Sequence, residues 1–380
     1  MMASSLYLPD LSLAALAEWL AAQGQPAFRA KQIYRQLYQS LAEDFAQMTD
    51  LPVGLRERLN QAIALQPLRL LAEQVSSDGQ TRKALFELRD GNTVETVLML
   101  YGGEDKDKDT EGRVRRTVCL STQAGCAMGC AFCATGQGGL RRNLTAGEIV
   151  AQVLHFAREE RRTGADAVLT NLIFAGMGEP LANYSSTWSA VERLNDPEGF
   201  GLGARHMTIS TAGWTPGIAR LAKEKLQVGL AVSLHAPDDA LRDRLMPINR
   251  KYPIAVLMDA CRDYIERTSR RVSFEYILLA GVNAMPAQAR SLAALLKGML
   301  CHVNLIPVNP VPMNPVAGTP WRPPSHRESA AFMHILEQSG ITVTQRMERG
   351  SDIQAACGQL RARQAVTTGA IEGAGAKPCP

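Results

Sequence analysis

The chain holds no apolar run near the ~20 residues that a bilayer-crossing helix needs. Its 380 residues show no internal repeat and no long low-complexity tract. The opening stretch, MMASSLYLPDLSLAALAEWL, has no basic n-region, and Asp10 and Glu18 interrupt its apolar positions. It reads as an amphipathic helix rather than a secretory signal. No membrane partner is therefore expected, and the cytoplasm, where thiols stay reduced, is the expected compartment. Neither sign of charge dominates, since 41 Lys and Arg against 37 Asp and Glu leave a net +4. That balance permits a nucleic-acid partner without demanding one. Among eight cysteines there is one C-x2-C pair and no second. Structural zinc sites usually show two such two-ligand knuckles.

What is present is Gly125-Cys126-Ala127-Met128-Gly129-Cys130-Ala131-Phe132-Cys133, with the spacing C-x3-C-x2-C. Three cysteines within eight residues among small neighbours are poorly explained as core packing. Three thiolates are one short of the four that close a [4Fe–4S] cluster or a zinc site, so one metal position stays open for chemistry. Arg113, Arg115 and Arg116 precede this run and Arg141 and Arg142 follow it; Arg262, Arg267, Arg270 and Arg271 form a second basic set at a helix end. Each set reads first as a solvated face, although arginines on both sides of a metal site would suit a phosphodiester backbone.

The hydrophobic fraction of 46% is that of a globular protein. Such a length accommodates one domain of about 250–300 residues and a smaller one. Residues 1 to about 75 read as short helices; one of them, over Phe28 to Tyr38, places Phe28, Ile33, Leu37 and Tyr38 on one face. Residues 82–100 alternate as a β-hairpin with its turn at Asp90-Gly91-Asn92. The charged string from Gly102 to Gly112 reads as a surface loop. From residue 117 six apolar strand candidates alternate with helical patterns: Val118–Ser121, Leu172–Phe174, Met207–Ser210, Val228–Leu234, Val272–Leu279 and Val303–Pro307. Thr145-Ala146-Gly147-Glu148 is a capping box opening the first helix. The fold class is α/β, a partial (β/α)6 barrel with a small N-terminal helical domain and a β-hairpin extension. The expected segments are 1–75, 76–116, 117–347, a cysteine loop at 348–365 and a tail at 366–380.

Barrels of this kind place their active sites at the carboxyl ends of the strands. The informative residues fall there: Gly176-Met177-Gly178-Glu179-Pro180, Ser210-Thr211-Ala212-Gly213, Ser233-Leu234-His235-Ala236 and Pro307-Val308-Asn309-Pro310. Glu179 can accept a hydrogen bond from an ammonium group. The small hydroxyls, the imidazole and the Asn309 amide suit a ribose and a carboxylate. Each alone reads as a turn or a cap; together they lie on one rim. Cys261 and Cys301 read as buried residues in apolar helical patterns, and Cys379 as a tail thiol. Cys119 sits on the first strand, and Cys357 has the setting of an exposed loop.

The cysteine run resembles the signature of the radical S-adenosylmethionine (SAM) superfamily. More specifically, Cys119 to Thr145, the GMGEP loop, Leu245-Met246-Pro247-Ile248-Asn249-Arg250-Lys251-Tyr252-Pro253 and Gly350 to Leu360 resemble the radical SAM RNA methyltransferases. These modify carbon 2 of adenosine in 23S ribosomal RNA and tRNA. A sister family that methylates carbon 8 shares the cluster and both extra cysteines, but the LMPINRKYP and FRAKQIYRQLY stretches favour the carbon 2 enzymes. The resemblance implies one [4Fe–4S] cluster on Cys126, Cys130 and Cys133. It implies SAM held by Gly178, Glu179, Ser210, Ser233, Leu234, His235 and Asn309. It further implies an S-methylcysteine on Cys357, a transient Cys119–Cys357 disulfide, and Glu95 as the base that takes the carbon 2 proton. Glu95 by its own pattern reads as a surface strand residue. A flavodoxin- or ferredoxin-type electron donor, RNA gripped by the N-terminal helices and a monomer complete the expectation.

Overall fold

The computed structural model describes residues 6–101, 114–164, 167–308, 321–346 and 353. Three helices open it: α1 (Leu13–Ala22), α2 (Phe28–Tyr38) and α3 (Val53–Ala62). The strands β1 (Leu68–Val75), β2 (Thr81–Leu88) and β3 (Thr93–Tyr101) follow. Next come β4 (Arg115–Cys119), β5 (Gln123–Gly125), a short α4 (Ala134–Gln137) and β6 (Leu140–Asn143). Helices and strands then alternate as α5 (Ala146–Thr163), β7 (Asn171–Phe174), α6 (Tyr184–Asn195), β8 (Met207–Thr211), α7 (Thr215–Leu221) and β9 (Gly229–Ser233). The remainder is α8 (Asp239–Leu245), α9 (Ile254–Thr268), β10 (Val272–Leu278), α10 (Pro286–Leu296), β11 (Cys301–Pro307), α11 (His326–Gln338) and β12 (Thr342–Gln345).

Ten strands form one sheet in the order β1-β2-β3-β4-β7-β8-β9-β10-β11-β12. The six expected parallel strands are all present, and β12 adds another parallel to β11. The expected hairpin is β2 and β3, antiparallel and continuous with the main sheet through β4. The helical reading of residues 1 to about 75 stops at Ala62, because Leu68–Val75 pairs with β2 as a third antiparallel strand. Its residues are half-buried or exposed, with a bulge between Leu70 and Ala72, and cross-strand partners decide such cases over local propensity. Cys301 likewise opens a strand rather than lying in a helix, and it is half-buried. Cys261 is fully buried, as expected.

Strand alternation divides the sheet into two chemically distinct faces. Ala84, Phe86, Val94, Leu98, Val118, Leu172, Phe174, Ile209, Leu230, Val232, Phe274, Val303 and Leu305 belong to the main hydrophobic core. The opposite face carries Lys83, Glu95, Cys119, Ser210, Ser233, Glu275 and Asn304, which the pairing registers place on one side. The capping box at Thr145 forms as read, with the Thr145 side chain accepting from Glu148 N and the Glu148 carboxylate accepting from Thr145 N.

The N-terminal helices share that core. Helix α2 buries Ala30, Ile33, Tyr34, Leu37 and Tyr38, each large apolar side chain stabilising by roughly 1.5–3 kcal/mol. Phe28 is the exception to the expected face: it is 54% exposed, with Arg29 over its ring, because at about 3.6 residues per turn it points away from the stripe of Ala30, Ile33, Tyr34, Leu37 and Tyr38. Arg158 of α5 donates to the carbonyls of Leu41 (2.9 Å) and Ala42 (2.7 Å). Asp10 Oδ1 accepts from Gly147 N at 2.8 Å, and Arg193 of α6 donates to Asp10 O at 2.9 Å. The two Arg158 bonds satisfy carbonyls of buried residues. Arg158→Ala is expected to cost about 1.5–3 kcal/mol, read as a lower midpoint in urea denaturation with an unchanged slope.

Candidate active site

The cysteine loop leaves β5 and returns as β6, and a two-stranded ribbon closes its base. Gly125 makes that closure possible: its φ is +83°, and a Cβ there would lie 2.0 Å from Gly139 O. Ala131 N donates to Leu245 O at 2.9 Å, fastening the loop to the end of α8. Met128 is buried in a second apolar cluster with Leu245, Met246 and Ile248, against which Cys126, Cys130 and Phe132 pack. Burial pushes the Cys126 thiol up to about 12, and burial with the neighbouring Cys133 and Cys126 pushes Cys130 well above the usual thiol range. Thiols this reluctant to ionise need a metal to hold them as thiolates.

The donor set suits an iron–sulfur cluster. Cys126, Cys130 and Cys133 stand on one loop, and thiolate is the donor type that holds iron–sulfur clusters. The three sulfurs sit close enough to influence one another electrostatically, and three ligands leave one corner open.

The GMGEP loop lies directly against the start of this ribbon. Gly178 has φ +103°, and a Cβ there would fall 2.5 Å from Gln123 Cβ. Glu179 N donates to Gln123 Oε1 at 2.8 Å. The Glu179 carboxylate is 2% exposed and accepts from Leu181 N (3.0 Å) and Ala212 N (2.7 Å). Burial raises it from 4.5 to about 7 in spite of those bonds, and no cation is among the groups that shift it. An ammonium group from a ligand would complete this carboxylate, as the amino group of SAM would.

Ser210 and Ser233 both donate to Glu275 Oε2, at 2.8 and 3.3 Å. Their hydroxyls thus present an organised polar floor below the rim. Leu234 is fully buried, with its N–H on Glu275 O at 3.0 Å and its carbonyl accepting from Ala236 N and Arg242 Nε. His235 has φ +59°, its Nδ1 accepts from Ile277 N at 2.9 Å, and its ring meets Phe132 edge-on at 4.8 Å. Burial, then the Arg242 charge, pushes this imidazole down to about 3, so it is neutral with the proton on Nε2. It braces the cysteine loop. Asn309 and Cys357 lie outside the described residues.

Cys119 ends β4, opposite Val97 of β3. Glu95, two residues from Val97, is not the surface residue its pattern implies. It is 2% exposed and its Oε2 lies 2.7 Å from Lys83 Nζ. Its carbonyl accepts from Ser121 Oγ at 2.5 Å, and that oxygen accepts from Met177 N at 2.9 Å. One hydroxyl therefore joins Glu95 to the GMGEP loop. Of the described arginines beside the cysteines, Arg116 and Arg142 are committed to carboxylates, while Arg115 lies over the Tyr101 ring. Arg116 pairs with Glu160 at 2.8 Å, and Arg142 bridges Asp90 and Glu148. Arg262 and Arg267 pair with Asp259 and Asp263.

Lys83, Glu275 and Arg242 escape sequence reasoning. Glu275 had a signal, as the one charge in the apolar run Val272–Leu278. Arg242 had none. It is fully buried and donates to the carbonyls of Ala212 (2.7 Å), Ser233 (3.1 Å) and Leu234 (3.1 Å), tying the ends of β8 and β9 together.

Glu179 makes the metal-free protein pH-dependent. An unfolded chain ionises this carboxyl near 4.5, whereas the folded chain holds the proton to about 7. The stabilisation is full below the lower value and is lost as pH rises through the higher one. Glu179→Gln is therefore expected to gain stability at pH 8 relative to pH 5 by about 2.5 kcal/mol. Thermal melts of wild type and variant at both pH values measure it, and equal shifts would refute it.

The family model described as the Radical SAM superfamily matches residues 120–289, and the ribosomal RNA large subunit methyltransferase N-terminal domain matches residues 6–65. The "Probable dual-specificity RNA methyltransferase RlmN" of Chloroflexus aurantiacus is 53% identical over 374 residues, covering 96% of this chain and 95% of that protein. The Desulfitobacterium hafniense protein described in the same words is 50% identical over 352 residues, covering 93% and 95%. A solved radical SAM methyltransferase from Sphaerobacter thermophilus superposes with a TM-score of 0.86 at 50% identity, covering 93% of this chain and 98% of that one. Three cysteines on one loop, a buried carboxylate beside them and an N-terminal helical unit of matching type have one common account: the chain belongs to the RlmN family of radical SAM methyltransferases.

Proposed function

We propose that the protein methylates carbon 2 of adenosine in 23S ribosomal RNA and in tRNA, using two SAM molecules per turnover. The observation that carries this reading is the shared polar face. Cys119 and Glu95 stand on adjacent strands of it, and the Ser121 hydroxyl links Glu95 to the loop bearing Glu179. The relatives' printed description as dual-specificity RNA methyltransferases and the ribosomal RNA methyltransferase type of the N-terminal unit support the substrate.

Carbon 2 of adenine is electrophilic and does not attack a sulfonium methyl, so the methyl must first become a carbon radical. When bound, the cluster supplies the electron that opens one SAM and so provides the radical for this activation. The chain's own residues do the rest. Glu179 receives the SAM ammonium group, and Ser210 and Ser233, ordered by Glu275, face the polar groups of the same ligand. Cys357 carries the methyl as a thioether. Glu95 accepts the proton that leaves carbon 2. Cys119 attacks the Cys357 sulfur: the S–S bond forms, the bond from Cys357 sulfur to the methylene carbon breaks, and that carbon keeps the electron pair and takes up a proton, which frees the methylated base. The base has to leave its stack to reach this rim. A flavodoxin- or ferredoxin-type donor, a monomeric state and a cytoplasmic location belong to the same reading; among the described residues, no helix is long and apolar enough to cross a membrane.

Anaerobic reaction of reconstituted protein with SAM, a reductant and ribosomal RNA or tRNA, followed by digestion and mass spectrometry, tests the proposal. Wild type is expected to yield 2-methyladenosine and Cys357→Ala none. 8-Methyladenosine would move the protein to the sister activity. SAM cleavage without any methylated adenosine would overturn the RNA assignment.

A further inference from the structure

We infer that Lys83 is the positioning residue for the proton-accepting step: its ammonium group fixes the Glu95 carboxylate where it meets carbon 2 of the target base. This rests on the proposed role of Glu95 and extends it to a residue to which neither the family resemblance nor the sequence pattern gave a part.

The geometry is specific. Lys83 lies opposite Val97, and Val97 lies opposite Cys119, so the three form one row across β2, β3 and β4. Glu95 stands one pleat away on the same face, diagonal to Lys83, which is the range that a long side chain spans. The Lys83 Nζ to Glu95 Oε2 distance is 2.7 Å, with side-chain exposures of 0% and 1%. The Glu95 backbone is fixed separately, with its carbonyl on Ser121 Oγ and its N–H on Met177 Sδ at 3.4 Å. Backbone and carboxylate are thus held by different groups, which sets the direction of the acid oxygens.

Stability does not explain such a pair. Desolvating two charges offsets most of their attraction, and an apolar pair of similar volume is often as stable. The other face of these strands is filled with Ala84, Phe86, Val94 and Leu98, so the fold packs apolar side chains well in this region. The charged pair sits instead on the face shared with Cys119. When the proton leaves carbon 2, its bonding electrons enter the ring and Glu95 becomes a neutral acid. The ammonium group changes no bond. It keeps the carboxylate aimed before transfer, which is a positional contribution.

Lys83→Gln, Lys83→Arg and Glu95→Gln, assayed with ribosomal RNA beside wild type, test this. The readouts are 2-methyladenosine, 5′-deoxyadenosine, RNA affinity and a covalent RNA–protein adduct on denaturing gels. A positioned base contributes ~10²–10⁴-fold, so Lys83→Gln is expected to slow product formation by about 10–10²-fold. It should leave 5′-deoxyadenosine formation and RNA affinity within about threefold, and the adduct should accumulate because proton removal precedes its resolution. Lys83→Arg should recover part of the rate. Wild-type rates in a folded Lys83→Gln protein, or equal losses of product, 5′-deoxyadenosine and adduct, would overturn the inference. If Lys83→Gln does not fold, Lys83→Met/Glu95→Gln, which buries no charge, decides. It should match Glu95→Gln alone, and a much larger loss of product would overturn the inference. Absence of methylated adenosine from wild type would instead fail the underlying reading.

Discussion

A carboxylate buried with backbone partners, and with no cation beside it among the described residues, is the constraint around which the upper rim is arranged. Glu179 holds two backbone N–H groups, from its own loop and from the end of β8. Those bonds do not offset its burial, and its affinity for a proton rises accordingly. Such a group is tolerated where a ligand supplies the missing charge. The surrounding geometry leaves Glu179 little freedom. Gly178 approaches Gln123 too closely for any side chain, and Gln123 in turn receives Glu179 N. Glu179 and the cysteine-bearing ribbon are therefore directly joined, because Gln123 opens β5.

Arg242 plays the complementary part on the far side of the cysteine loop. Its guanidinium replaces the hydrogen bonds that the last carbonyls of β8 and β9 would otherwise seek from water. Burial lowers its hold on its proton to about 10, still far above neutrality. It therefore brings a fixed positive charge close to Cys130, where thiolates gather when a cluster is bound. Asn249 receives Arg242 Nη1 at 2.9 Å and donates to Asp239 and Asp243. The LMPINRKYP stretch thus works as a bracket for this arginine, and its Leu245 carbonyl holds the cysteine loop.

The sequence shows the periodic parts of this structure well. Six of the seven parallel strands were marked by apolar runs, β12 with its sequence TVTQ being the exception, and the Thr145 capping box is local chemistry that needs no tertiary partner. The rim residues were legible because strand ends are marked by glycine and small polar residues. What escaped depends on partners remote in sequence. Glu95 reads as exposed because alternation reports that a residue faces away from the helices, not what covers the other face. Lys83 fails to register for the same reason. The arginines flanking the cysteines suggest a phosphate surface until Glu160, Asp90 and Glu148 are seen to neutralise Arg116 and Arg142. Leu68–Val75 is a strand only because β2 lies beside it.

Helix α5 unites these local arrangements. At its first turn Glu148 caps the helix and holds Arg142, which also grips Asp90 in the β2–β3 turn and lowers that acid to about 2. One turn further, Gln152 receives Thr96 Oγ1 at 2.7 Å and Ser121 N at 2.9 Å, and donates to Ser121 O. Two more turns bring Arg158 to the carbonyls that connect α2 with the rest of the N-terminal unit. A single helix of 18 residues thus touches the cysteine ribbon, the strand carrying Glu95, the residue linking Glu95 to Met177, and the N-terminal helices. Displacing the N-terminal helices would load the same helix that fixes Ser121, because close-packed interiors transmit strain rather than absorb it. The α5 hydrogen bonds therefore couple the N-terminal unit to the strand carrying Glu95 and to Ser121, and the placement of Glu95 depends on contacts made well beyond its own strand.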